Sequence, residues 1–348
     1  MEYRPLGRSN IQVSSVGLGV MTFGAQTKEK DAFAQLDMAF EAGITLYDTA
    51  ENYPAPVQAD TQGRSEELLG KWIKSRNVRD QVVIATKVAG PGNGAGDMRH
   101  LRGSDRCLNS ANIDAAVKAS LRRLNTDVID LYQVHWPERP ITTLRRSRYS
   151  HIPDTPALVP IEETLGALAD QVQAGNVREI GVCNESPWGV MHYLALAEQR
   201  GLPRIASIQN SYSLLDRLFE GGLAEIALRE DVGLIAYSPM ASGLLTGKYA
   251  NASPIAGSRS SLFDGFESRF KKPVLDAMQH YIELAKGFDV SPSALALGFC
   301  QQQAFVTSVL IAASNAAQLQ ENLKNLDISF TKEMLKAINQ IHDQHPNP

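Results

Sequence analysis

The chain has 348 residues, of which 43% are apolar and 21% charged, a composition typical of a folded globular protein and unlike a disordered or fibrous one. Its 34 basic and 38 acidic residues give a formal charge of −4, which argues against a protein that wraps nucleic acid. No apolar run of about 18 residues predicts a membrane span, and the N-terminus lacks the apolar segment of a signal peptide. We therefore expect a cytoplasmic protein that binds neither nucleic acid nor a membrane.

The chain begins with a segment that predicts a β-hairpin, residues 3–14, with its turn near residues 7–10. Eight short apolar runs follow, and most lack polar alternation, as expected of parallel strands that are buried on both faces. These runs are residues 15–19, 44–48, 82–87, 129–134, 177–183, 205–209, 233–237 and 306–311. Helical periodicity falls between them, at residues 31–42, 65–74, 112–124, 161–174, 187–199, 218–228, 273–287 and 318–323.

Eight strand–helix units without a change in composition predict a (β/α)8 TIM barrel, a single domain that spans residues 1–348. A doubly wound parallel sheet is the alternative fold. The hairpin precedes the first barrel strand and is expected to plug the bottom of the barrel. An extra C-terminal helix is predicted at residues 331–344, with Thr331 as its N-cap.

Three long connections follow the third, fourth and seventh strands, at residues 89–110, 135–160 and 241–272. All three leave the carboxyl ends of strands, where barrel enzymes carry their active sites. Long connections without periodicity are usually functional or mobile. The active site is therefore expected beneath them.

Other common sites are not supported by the sequence. Gly17-Leu18-Gly19 begins a dinucleotide-binding fingerprint, but Thr22 stands at the third glycine position, so a Rossmann site is not predicted. The three cysteines are too far apart for a disulfide framework or a zinc knuckle. The seven histidines include no metal-binding pair, so no metal site is expected.

Charged and polar residues end three successive predicted strands. Asp48 ends the second strand, Lys87 ends the third and His135 follows the fourth, while Tyr53 lies five residues after Asp48. A nearby ammonium group favours the phenolate form of a tyrosine, so Lys87 is expected to lower the pKa of Tyr53. Asp48 would keep Lys87 charged, and His135 can hydrogen-bond a substrate oxygen. Such a site can polarise a carbonyl group and supply a proton.

In these sequence contexts the four residues resemble the catalytic tetrad of the aldo-keto reductase superfamily, in particular its bacterial Tas-type NADP(H)-dependent members. The resemblance covers nearly the whole chain. It is carried by Asp48-Thr49-Ala50-Glu51, Gly181-Val182-Cys183-Asn184, Gln209-Asn210-Ser211-Tyr212-Ser213, Tyr237-Ser238-Pro239, Leu244-Leu245-Thr246-Gly247-Lys248-Tyr249 and Ala313-Ser314-Asn315.

The resemblance implies an NADPH-dependent carbonyl reductase with Tyr53 as its proton donor and a small carbonyl compound as its substrate. Asn184 and Gln209 would hold the nicotinamide carboxamide, and Tyr237 would stack on its ring. The other implied cofactor contacts run from the pyrophosphate through the 2′-phosphate to the adenine: Ser238, Met240, Gly243, Leu245, Lys248, Arg259, Ser314, Gln318, Glu321 and Asn322. Cationic and hydroxyl groups suit a phosphate dianion, which favours NADPH over NADH.

The same resemblance leaves a second interpretation open. The β subunits of voltage-gated potassium channels share this fold and tetrad, so the chain is alternatively a regulatory subunit that senses NADP(H). The sequence names neither a physiological substrate nor an oligomeric state.

Arginines are concentrated in the first two long connections. The members are Arg99, Arg102, Arg106, Arg139, Arg145, Arg146 and Arg148, with His100 beside them. One hypothesis is a cationic mouth that attracts an anionic cofactor or a carboxylate-bearing aldehyde. The alternative is a solvated, partly paired surface.

Overall fold

The computed structural model describes residues 1–91, 98–103, 106–141, 148–153, 158–263 and 265–348. A two-stranded antiparallel hairpin precedes a closed barrel of eight parallel strands, in which the last strand pairs with the first. The hairpin strands are β1 (Tyr3–Pro5) and β2 (Gln12–Ser14). The barrel strands are β3 (Val16–Gly19), β4 (Leu46–Asp48), β5 (Val83–Val88), β6 (Ile129–Val134), β7 (Val177–Cys183), β8 (Ile205–Ser211), β9 (Gly233–Tyr237) and β10 (Val306–Ile311).

Helices surround the barrel. They are α1 (Glu29–Glu41), α2 (Arg64–Arg76), α3 (Ser110–Leu124), α4 (Ile161–Gln173), α5 (Pro187–Arg200), α6 (Leu223–Arg229), α7 (Arg259–Leu262), α8 (Lys272–Gly287), α9 (Pro292–Gln301), α10 (Ala316–Lys324) and α11 (Lys332–Gln344). None of the helices in the described ranges is long and apolar enough to cross a membrane. The predicted barrel is confirmed, and the doubly wound alternative is wrong because the sheet closes on itself.

The hairpin closes the bottom of the barrel, as predicted. Leu6 and Val13 are fully buried and pack against inward-facing side chains of six barrel strands, among them Leu46 and Leu131. Gly7 lies in the left-handed region at φ 57°, and a Cβ atom there would lie 2.5 Å from the backbone oxygen of Ala206. Glycine therefore lets the hairpin turn approach the barrel wall closely.

One predicted helix differs from the structure, and the short α7 within the third long connection was not predicted. The helix predicted at residues 218–228 is a 3-10 turn, Leu218–Gly221, followed by the short α6, because Gly222 at φ 155° breaks the chain direction between them. The helix α9 was not predicted. Eight of its ten residues are buried, so its sequence is apolar on all sides and lacks the amphipathic periodicity of a surface helix.

The C-terminal helix α11 begins where the sequence predicts. Thr331 caps it, since the Thr331 side chain accepts a hydrogen bond from the backbone N–H of Met334 at 3.1 Å.

Candidate active site

A cavity of about 480 Å³ opens at the carboxyl ends of the barrel strands. Three residues of the predicted tetrad, Asp48, Tyr53 and His135, line it, and Lys87 lies behind them. Aromatic and aliphatic side chains also line the cavity, among them Met21, Trp136, Phe263 and Phe266. The position is the one expected of a barrel enzyme.

Asp48 and Lys87 form a buried ion pair at the base of this cavity. The Lys87 Nζ atom lies 2.6 Å from Asp48 Oδ2 and donates a second bond of 2.6 Å to the backbone oxygen of Thr49. The Lys87 side chain has no exposed surface, and that of Asp48 is 6% exposed. The adjacent strands β4 and β5 carry the two residues, so the barrel register itself brings the charges together.

Tyr53 lies against this ion pair. The Lys87 Nζ atom is 5.3 Å from the centre of the Tyr53 ring. Burial raises the pKa of Tyr53 well above its usual value, and the Asp48 carboxylate raises it further, while Arg259 acts in the opposite direction. The expected net lowering of the Tyr53 pKa is therefore wrong for the free site, because burial and the Asp48 carboxylate dominate. Tyr53 remains a protonated phenol at neutral pH.

His135 contacts Tyr53 edge-on, with the two ring centres 5.5 Å apart, and stacks on Trp136. Its Nδ1 atom is 3.1 Å from Oδ1 of Asn52. Burial lowers the pKa of His135 well below its usual value, and the ammonium group of Lys87 lowers it further. The imidazole is therefore neutral at neutral pH and carries one ring proton.

Two glutamines extend the polar base of the site. The Gln209 Nε2 atom donates to Asp48 Oδ1 at 2.7 Å and to Gln133 Oε1 at 3.3 Å. The buried thiol of Cys183 lies 3.6 Å from Gln209 Oε1, and burial raises its pKa to about 12. The carboxylate that holds Lys87 is thus linked directly to a residue implied in cofactor binding.

The residues implied in nicotinamide binding lie together on the cavity wall. The Tyr237 hydroxyl donates to Asn184 Oδ1 at 2.7 Å, and Asn184 Nδ2 donates to the backbone oxygen of His135 at 2.8 Å. Ser238 also lines the cavity, and its φ of 57° lies in the left-handed region.

The residues implied in phosphate binding are more dispersed. Arg259 lines the cavity, and its guanidinium group is near Ser242, Met21 and the Phe263 ring. Lys248 lies outside the cavity wall, with its Nζ atom 5.0 Å from the centre of the Tyr249 ring. Met240, Gly243 and Leu245 belong to the segment between the cavity and Lys248.

The remaining implied contacts cluster at the start of α10. Gln318 Oε1 accepts from the backbone N–H and the hydroxyl group of Ser314, at 3.1 and 2.9 Å. Asn322 donates to the backbone oxygen of Ala312, and Glu321 lies on the same helix. This cluster is separate from the tetrad and follows β10, whose end also lines the cavity.

The cationic-mouth hypothesis fails for three of its arginines. Arg102 makes an ion pair with the buried Glu51, and Arg106 donates to the backbone oxygens of residues 90 and 98. Arg139 pairs with the buried Glu185 at 2.5 Å. These guanidinium groups bind the protein itself. Arg145 and Arg146 lie outside the described residues.

Sequence reasoning missed Asn52, Glu51 and Gln133, all of which support the tetrad. Gln133 is a polar residue inside an apolar strand, and this was a usable signal of a buried polar network. The partners of Asn52 and Glu51 lie 83 and 51 positions away, so no local pattern reveals them. Within the described ranges, no group of three or more potential ligands could hold a metal ion.

The barrel and the cavity above the buried Asp48–Lys87 pair are consistent with an oxidoreductase, and comparison with known proteins shows the family. The sequence pattern of the aldo/keto reductase family matches residues 15–343, so the chain belongs to that family. Protein tas of Escherichia coli is 42% identical over 348 residues, which cover the whole of this chain and 99% of that protein.

Two further relatives differ in the roles that their names state. The L-glyceraldehyde 3-phosphate reductase of Escherichia coli is 31% identical, over 98% of this chain and 92% of that protein. A probable voltage-gated potassium channel subunit beta of Oryza sativa is 29% identical, over 99% of this chain and 98% of that protein.

Proposed function

We propose that this protein reduces aldehydes or ketones to alcohols with NADPH, and that Tyr53 is the proton donor. The observation that carries the proposal is a phenol that stays protonated at neutral pH and lies beside a buried ammonium–carboxylate pair. A neutral imidazole completes the wall beside it. These groups suit carbonyl reduction, because they can polarise a carbonyl group and supply a proton.

The residues around the cavity fit a nicotinamide cofactor. Asn184 and Gln209 each retain hydrogen-bonding capacity for a carboxamide beyond the bonds that they make within the protein. Tyr237 offers an aromatic face, and Arg259 offers a cation for a phosphate group. When bound, NADPH supplies the hydride. Arg259, Lys248 and Ser314 are the proposed reason for a preference for NADPH over NADH.

The reaction then follows from the protein groups. The Tyr53 hydroxyl donates a hydrogen bond to the carbonyl oxygen and gives up its proton as the carbon is reduced, which leaves a phenolate. The ammonium group of Lys87 stabilises that phenolate, because it is buried and held in place by Asp48 and Thr49. His135 stays neutral and is available to hydrogen-bond the substrate oxygen. Trp136, Phe263 and Phe266 add apolar surface to the cavity wall, where a carbon skeleton can pack.

One relative is named as the reductase of an aldehyde, which supports a small carbonyl substrate. Another is named as a probable channel subunit, which keeps a regulatory role as the second candidate. The decisive experiment follows NADPH absorbance during incubation with a panel of aromatic aldehydes, ketones and dicarbonyls, with NADH in a parallel series. We expect steady turnover with at least one carbonyl compound. Tight binding of NADPH without turnover of any compound would contradict the proposal and favour the regulatory role.

A further inference from the structure

A buried carboxylate, that of Glu51, lies two residues before Tyr53 in the same turn. The Glu51 side chain is 1% exposed, and its oxygens accept bonds of 2.6 and 2.7 Å from the Nη1 and Nη2 atoms of Arg102. A third bond, of 2.6 Å, comes from the backbone N–H of Ala89. We call residues 51–53 the acid turn and residues 98–103 the strap, since Arg102 ties one to the other.

The strap is held in place by its own packing. Met98 and Leu101 are buried with Ala89, and Val57 and Trp136 pack against this cluster. Trp136 in turn stacks on His135. The strap therefore supports two walls of the active site, one through the Arg102 ion pair and one through Trp136.

Arg102 itself occupies an uncommon backbone conformation. Its φ of 61° lies in the left-handed region, which costs free energy for a residue with a side chain. In this conformation Arg102 makes the two bonds to Glu51, and its Nε atom donates to Asn112 at 3.0 Å. The hydrogen bonds of the guanidinium group offset this backbone strain, so the ion pair with Glu51 fixes the position of Arg102.

The acid turn connects Glu51 to the side chains that are proposed to react. Glu51, Asn52 and Tyr53 are consecutive, and the backbone N–H of Glu51 donates to the Lys87 oxygen at 3.2 Å. The Asn52 side chain contacts Nδ1 of His135, while Tyr53 lines the cavity. A shift of Glu51 would therefore displace the proton donor and the imidazole together.

We propose that Arg102 is a positioning residue for the proposed reaction. By binding Glu51, Arg102 keeps Tyr53 and His135 in their places in the active site. The inference rests on the proposed function, because it assigns Arg102 to the support of the proton donor. Arg102 touches neither the tetrad nor any residue implied in cofactor binding in the contacts that the structure describes.

The test begins with R102M, which removes the cation and keeps an unbranched side chain. Glu51 is then a buried carboxylate without its cation, an arrangement that favours either protonation or displacement of the turn. We expect kcat at about pH 8 to fall roughly 10-fold or more, with KM and the Kd of NADPH within about threefold of wild type. As the pH falls and Glu51 takes up a proton, kcat should recover towards the wild-type value. Tyr132 also faces Glu51, but burial raises the pKa of Tyr132 well above its usual value, so it does not titrate in this range.

Two further variants separate positioning from a general loss of stability. E51Q/R102M removes both charges and should lose the new pH dependence and regain much of the kcat. R123M is the matched control, because Arg123 forms a similar 2.6 Å pair with the buried Glu66, and both arginine side chains are 18% exposed. R123M should lower the melting temperature about as much as R102M and leave the kcat of the folded enzyme within about twofold of wild type.

The outcomes distinguish this inference from the proposed function. If wild type reduces carbonyl compounds and R102M matches R123M in kcat at every pH, the positioning role of Arg102 is refuted and the proposed function stands. If wild type reduces no carbonyl compound, the proposed function fails. The role of the Arg102–Glu51 ion pair is then tested by thermal stability alone. The melting temperature of R102M should fall relative to that of E51Q/R102M as the pH rises and Glu51 ionises. A difference in melting temperature that does not change with pH would refute the argument that Arg102 compensates the charge of Glu51.

Discussion

Replacing Lys87 with methionine should test the buried ion pair most severely. The substitution leaves the Asp48 carboxylate beneath the cavity without the cation that lies 2.6 Å away, although two glutamine amides still approach it. Removal of one partner of a buried pair costs roughly 3–5 kcal/mol, because the remaining charge is uncompensated. We therefore expect the melting temperature of K87M to fall by about 4–7 °C at neutral pH.

The control for this prediction is D48N/K87M, which removes both charges. It should recover most of the lost stability, since an amide is far less costly to bury than an unpaired carboxylate. Both variants should be nearly inactive, because neither retains the ammonium group that stabilises the phenolate of Tyr53. Thermal unfolding at one scan rate, monitored by circular dichroism, compares the three proteins. Equal melting temperatures for wild type and K87M would refute the argument that the pair is coupled and buried.

Two further predictions concern the cofactor and the pH profile. Arg259→Ala should weaken NADPH binding about 10- to 100-fold and leave NADH binding almost unchanged, because charge-assisted bonds to phosphate are worth roughly 1.5–3 kcal/mol. Fluorescence titration with each cofactor measures the two dissociation constants. Equal losses of affinity for both cofactors would mean that Arg259 only supports its loop. The raised pKa of Tyr53 and the lowered pKa of His135 keep the phenol protonated and the imidazole neutral, so wild-type kcat for reduction should vary little between about pH 6.5 and 9. A steep change of kcat within that range, measured at saturating NADPH and aldehyde, would contradict the assignment.

Much of the fold was predictable because parallel barrel strands are buried on both faces and read as continuous apolar runs. The strands β6, β7, β9 and β10 have the predicted bounds. The helix α9 was not predictable by periodicity, since burial on all sides removes the polar face that periodicity detects. The break at Gly222 was also missed, because a glycine in a helical pattern is compatible with either continuation or interruption.

The site residues that end strands were predictable from the sequence. The pairing and protonation of the other residues depend on contacts between distant parts of the chain and were harder to predict. Asp48 and Lys87 lie on adjacent strands, and their positions in the sequence were sufficient to predict the pair. The pKa of Tyr53 was predicted in the wrong direction, because the sequence shows a nearby ammonium group but not the degree of burial. The cationic-mouth hypothesis fails for a related reason: Arg102 and Arg139 pair with carboxylates that the sequence does not identify as buried.

The central claim is that Tyr53 supplies the proton for carbonyl reduction, and a single-turnover comparison of wild type with Tyr53→Phe tests it most directly. The variant keeps the ring against Lys87 and removes only the hydroxyl group. Enzyme premixed with NADPH is combined with a saturating aromatic aldehyde, and loss of NADPH absorbance is followed by stopped flow. We expect the reduction rate to fall at least about 10²-fold while NADPH affinity is nearly unchanged. Reduction by the phenylalanine variant at the wild-type rate would contradict the account.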